Sequence, residues 1–211
     1  KDTFSGLIRL IVLNIGYNQL TKIDSHVFQD LYTLQMLDLE HNRIESIADG
    51  AFSALSNLHA LKLSYNRLAT VDAFHFSGIL AINQLFLDHN RIVQVEKRTF
   101  ENCSSLHDLG LYGNELTEVP EAIKQLHYLK TLDLGGNRIR TISNSSFDGL
   151  NHLNTLILSD NEITNITRHA FGTLPSLRVL NLASNGIEYV DKAAFGNSSV
   201  LHAIRLDANK L

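Results

Sequence analysis

The groups in this chain that can do chemistry are ten histidines, 22 aspartates and glutamates, a single cysteine and four Asn-x-Ser/Thr triplets. Metal binding or hydrolysis would need several of the histidines and acids at ligand spacing, such as two His one helical turn apart around a Glu. The histidines instead fall at many unrelated phases, and no such spacing occurs. A nucleophile elbow, a phosphate-cradling glycine loop and a paired-carboxylate motif are equally absent. No catalysis, metal or cofactor is expected. The triplets offer a different chemistry: Asn102, Asn144, Asn165 and Asn197 each begin an acceptor sequence for an N-linked glycan. They place the chain on the extracellular side of the plasma membrane.

What positions these groups is a repeat. The segment Leu10-Ile11-Val12-Leu13-Asn14-Ile15-Gly16-Tyr17-Asn18-Gln19-Leu20 reads L-x-x-L-x-[IL]-x-x-N-x-L, and the frame returns at Asn42, Asn66, Asn90, Asn114, Asn137, Asn161, Asn185 and Asn209. Seven of the eight spacings are 24 residues; the step from Asn114 to Asn137 is 23. A second column runs with it: Phe4, Phe28, Phe52, Phe76, Phe100, Phe147, Phe171 and Phe195, with Ile123 in the missing slot. Two locked columns over nine periods define a leucine-rich repeat solenoid. The expected fold is of the α/β class, a horseshoe with a parallel concave sheet and an irregular convex side. It forms one unit over residues 1–211, nine repeats plus a partial N-terminal one. Neither end shows the polar capping unit that a solenoid needs, so the chain reads as an uncapped stretch of a longer protein.

Each column has a physical role. Alternating apolar residues such as Leu37 and Leu39 point inward from a short strand. The ladder Asn ends that strand, and its amide can satisfy backbone groups of adjacent turns. The Phe column should stack as a spine on the far side. Cys103 occupies a position filled elsewhere by Leu31, Leu55 and Leu126, so it reads as a small buried apolar group. In the sixth repeat, Pro120 suits the convex side because it has no N–H to donate, and Ile123 should narrow the spine. The glycan triplets fall in segments expected to be turns or convex surface.

The period also says which side chains face outward on the concave sheet: those two, four and six positions before each ladder Asn. Aromatic and acidic residues gather there in the first half of the chain. Phe86, Asp88, Asp108, Tyr112 and Asp133 from these columns, with Tyr65 directly before its ladder Asn, are the candidate ligand-binding residues, as exposed aromatics anchor interfaces and acids favour a basic partner patch. Tyr17, His41, Tyr65 and His89 line a rim, each His following an acid (Glu40, Asp88) that would make it a pH sensor. A face roughly 40 Å long fits a protein partner. The net charge of −4 leaves no electrostatic footprint for nucleic acid.

Part of the chain is more particular. Leu177-Arg178-Val179-Leu180-Asn181-Leu182-Ala183-Ser184-Asn185, Ala193-Ala194-Phe195, the stretch Ala203 to Leu211 and the shortened Leu116-Thr117-Glu118-Val119-Pro120 repeat resemble the ectodomain of arthropod Toll receptors. The resemblance implies a glycosylated type I membrane receptor. Its outer horseshoe would bind a secreted, cystine-knot, cytokine-like protein of the Spätzle kind, or pair with another receptor, to signal in innate immunity or development. The alternative is a leucine-rich adhesion or matrix protein with homophilic contacts and no signalling tail. The residues that follow Leu211 separate the two.

Overall fold

The computed structural model describes residues 3–196 and 199–211. Nine three-residue strands form one parallel sheet in sequence order: Val12–Asn14, Met36–Asp38, Ala60–Lys62, Gln84–Phe86, Asp108–Gly110, Thr131–Asp133, Thr155–Ile157, Val179–Asn181 and Ala203–Arg205. The register is that of the repeat: Leu37, Leu61, Leu85, Leu109, Leu132, Leu156 and Leu180 are stacked partners, none more than 1% exposed. The short sixth repeat keeps this register, because its missing residue is taken from the convex side.

The asparagine ladder works as its chemistry requires. Asn90 donates from Nδ2 to the Leu63 and Leu87 carbonyls at 3.0 Å each, and its Oδ1 accepts the Leu68 N–H at 3.0 Å. The same clasp between consecutive turns recurs at Asn42, Asn66, Asn114, Asn137, Asn161, Asn185 and Asn209. Burying an amide is tolerable because both of its ends are used. The residue before each ladder Asn has positive φ in all nine repeats, from 50° at His89 to 67° at Gly113. The chain must reverse there, so Tyr17, His41, Tyr65 and His89 carry a left-handed backbone that such residues seldom adopt.

The spine is stacked but not continuous. Phe4, Phe28 and Phe52 stack in succession at 5.8 and 6.0 Å, Phe76 stacks on Phe100 at 6.3 Å, and Phe147, Phe171 and Phe195 follow at 6.0 and 5.9 Å. Ile123, fully buried, fills the gap between Phe100 and Phe147. It belongs to a 3-10 helix, Glu121–Gln125, which Pro120 opens with φ −63° and ψ 129°. No α-helix occurs among the described residues, so the convex side consists of turns, this 3-10 helix and three two-stranded ladders. One ladder pairs Asn165–Ile166 with Tyr189–Val190. Asn165 is therefore a strand residue on the convex side, with its side chain exposed. A two-residue strand is too short for alternation to reveal it.

Candidate ligand-binding face

Tyr65, Phe86, Asp88, Asp108, Tyr112 and Asp133 line a single open depression of about 440 Å³ in the concave sheet, together with Lys62, Thr131 and Ile157. Phe86, Gly110, Asp133 and Ile157 are register partners on consecutive strands, so they form one row across its floor.

The six residues are not equally free. Tyr65 is 45% exposed at the rim. Asp88 is committed to the scaffold: its Oδ1 accepts the Tyr112 N–H at 2.8 Å, and its Oδ2 accepts the Ser64 hydroxyl at 3.2 Å. Asp108 accepts Gln84 Nε2 at 3.0 Å. Asp133 Oδ1 accepts the N–H of Gly135 at 2.9 Å, a local cap also made by Asp38 to Glu40. Burial pushes the Asp133 carboxyl up to about 6; the Gly135 hydrogen bond pulls the other way, and the nearby Asp88 charge adds to the rise. Phe86 and Tyr112 supply the half-buried aromatic surface.

Glycines make room for these side chains. A Cβ on Gly110 would sit 2.5 Å from Asp88 Oδ2, and one on Gly135 would sit 2.9 Å from Tyr112 Cδ2. The acidic and aromatic side chains of one turn therefore lie over the bare backbone of the next. Glycine in this half of the sheet is part of the depression's shape.

One feature of the face escaped the sequence reading. Tyr17, His41, Tyr65 and His89 form a continuous ring stack, with centroids 4.2, 4.2 and 4.4 Å apart and planes within 17°, and Tyr112 closes it edge-on at 5.2 Å. The alternation Tyr-His-Tyr-His in one column was the available signal. The left-handed backbone that turns these rings onto one another has no sequence signature of its own.

The remaining candidates lie elsewhere. Asn102 and Asn144 are exposed turn residues, as expected, and Asn197 lies outside the described residues. Cys103 is 1% exposed in its apolar column, and burial pushes its thiol up to about 12, far from a reactive thiolate. Among the described residues no group of three or more His, Cys, Asp or Glu is placed to hold a metal ion, and no helix is long and apolar enough to cross a membrane.

Sequence comparison agrees with this architecture. The family described as "Leucine rich repeat" matches over residues 1–44, 33–92, 81–139, 119–163 and 151–211. The chain belongs to the leucine-rich repeat family. A chain in the crystal structure of a TLR13–ssRNA13 complex superposes with a TM-score of 0.92 at 31% identity, over 96% of this chain and 29% of that one. A chain in the glycosylated Drosophila Toll–Spatzle complex gives 0.89 at 25% identity, over 98% of this chain and 28% of that one. Tsukushi-A from Xenopus laevis is 44% identical over 46 residues, 22% of this chain and 13% of its own length. The chain thus spans less than a third of each of these leucine-rich repeat relatives.

Proposed function

We propose that this chain is the ligand-binding part of the extracellular horseshoe of a Toll-like transmembrane receptor, of the arthropod type, which binds a secreted cystine-knot protein and signals by receptor pairing in immunity or development. The observation that carries this reading is the gathering of Phe86, Tyr112 and Tyr65 with Asp88, Asp108 and Asp133 in one depression of the concave sheet. Aromatic side chains give a protein ligand area at low entropic cost. Acids whose hydrogen bonds already fix them in place give that ligand a preset negative field. The 0.89 superposition on a chain of the Toll–Spatzle complex supports the choice of ligand class. Exposed glycan acceptors at Asn102, Asn144 and Asn165 support an extracellular address. Asn197 is a fourth proposed acceptor.

The reading is tested with a purified Spätzle-type cystine-knot dimer titrated onto the immobilised chain secreted from animal cells. Saturable binding that is lost in the Phe86→Ala/Tyr112→Ala double variant agrees with it. Binding that survives both substitutions, or no binding, overturns it.

A further inference from the structure

The flank that leads into the concave strands has a different chemistry from the depression. At the positions seven, nine and ten before each ladder Asn, no repeat carries an acid, in a chain whose net charge is −4. In the last five repeats the position seven before reads His107, Lys130, Asn154, Arg178 and His202, with Lys130, Arg178 and His202 exposed. Consecutive turns place these side chains in one row, so Lys130 and Arg178 stand two strands, about 10 Å, apart with Asn154 between them.

They flank a cleft of about 530 Å³, also lined by Thr131, Thr155 and His152. The backbone beneath it is already used: the Asn154 N–H goes to the Lys130 carbonyl and the Arg178 N–H to the Asn154 carbonyl, both at 2.8 Å. The free polar groups are therefore side chains, and those of Lys130 and Arg178 have no ion pair or hydrogen bond among the described residues. Arg138 and Arg140, on the flank that follows the strands, are by contrast paired with Glu115 and Glu162. His152 Nδ1 faces the His127 carbonyl at 2.8 Å, which holds the ring in place. Asp108 stands at one edge, occupied by Gln84. Two unpaired cations with amide and hydroxyl donors between them are the donor set for an oxyanion.

We propose that this flank cleft binds the sulfate groups of an anionic polysaccharide, with Lys130 and Arg178 as the principal contacts. Cations on alternate turns of one row, with an amide between them, match a linear polymer with regularly spaced charges. Nucleic acid is the weaker fit. Single strands are held by free aromatic faces along a basic groove, and the cleft's one ring, His152, is already stacked on Tyr128 at 5.4 Å.

A size-defined heparin oligosaccharide is titrated onto the immobilised chain, with an oligodeoxythymidylate of equal charge in a parallel arm. The expected result is salt-sensitive heparin binding that weakens about tenfold in Lys130→Glu/Arg178→Glu. It stays unchanged in Arg43→Glu/Arg91→Glu, a pair of exposed cations that are likewise two turns apart. A neutral Lys130→Gln/Arg178→Gln variant that melts like the parent should weaken binding in the same direction. Three results overturn the proposal: no heparin binding, an equal loss in both charge-reversed pairs, or oligodeoxythymidylate binding as tight as heparin and lost with Lys130 and Arg178. The last assigns the cleft to nucleic acid.

Discussion

The Asp88 carboxylate occupies the space above Gly110 that a side chain would take: a Cβ on Gly110 would lie 2.5 Å from Asp88 Oδ2 and 2.6 Å from Oδ1. From there Asp88 ties the Tyr112 N–H to the preceding turn. Gly110→Ala should expel the carboxylate, leave that N–H without its acceptor and lower stability by about 1–3 kcal/mol. Urea unfolding measures this. A variant as stable as the parent would mean that Asp88 has a second resting place and that the glycine is incidental.

The Asp133 carboxyl rises from 3.8 to about 6, chiefly through burial. The folded chain therefore holds that proton more tightly than the unfolded chain, and stability falls as pH rises through this window. Above it the cost of the buried charge is fully present. Asp133→Asn keeps an oxygen for the Gly135 N–H and removes the charge, so it should stabilise the fold by roughly 1 kcal/mol near neutral pH, after allowance for solvent screening. Near pH 4 the gain should vanish. Thermal melts of both proteins across this range decide the matter, and a gain independent of pH would count against burial as the cause.

Asn90→Ala strips the acceptor from the Leu68 N–H and the donor from the Leu63 and Leu87 carbonyls in one step. Leaving several buried backbone groups unpaired should cost about 3 kcal/mol or more. Asn57→Ala removes one exposed bond to the Tyr32 carbonyl and should stay within about 0.5 kcal/mol of the parent. Comparable losses in the two variants, read by chemical denaturation, would contradict the ladder's role.

Ile123 tests whether the short repeat is shaped for its own side chain. It is fully buried in the Glu121–Gln125 turn between Phe100 and Phe147. Restoring the spine residue by Ile123→Phe should overpack this site and destabilise by about 1–3 kcal/mol. Phe171→Ala, in an ordinary repeat, should cost about 3–5 kcal/mol. If Ile123→Phe were stabilising, the spine would have room for a ring there.

Much of this architecture could be read from spacing alone. A fixed period carries one turn onto the next, and alternation within a strand sends Leu37 and Leu39 inward and Asp38 outward. The membership of the depression followed because Phe86, Asp88, Asp108, Tyr112 and Asp133 occupy outward columns of neighbouring turns and Tyr65 the rim beside them. What they do there did not follow. That Asp88 holds Tyr112, or that Gly110 and Gly135 make space for their neighbours, depends on contacts 22 to 24 residues apart in sequence. The Tyr-His stack depends on a left-handed backbone that hydrophobic patterning cannot register, and Glu121–Gln125 is too short for any helical period. The flank cleft is illegible for a simpler reason: Lys130 and Arg178 lie one residue before their strands, outside the alternation that marks the concave columns.

A protein ligand that docks in the depression around Phe86 must lose affinity when that ring is removed. The measurement that bears on this most directly is calorimetric titration of the Spätzle-type dimer into Phe86→Ala and Ile157→Ala, two floor residues in the same row at different distances from the aromatic cluster. Phe86→Ala should weaken binding by about tenfold or more while Ile157→Ala stays within about threefold of the parent. Equal affinities in the two variants would contradict it.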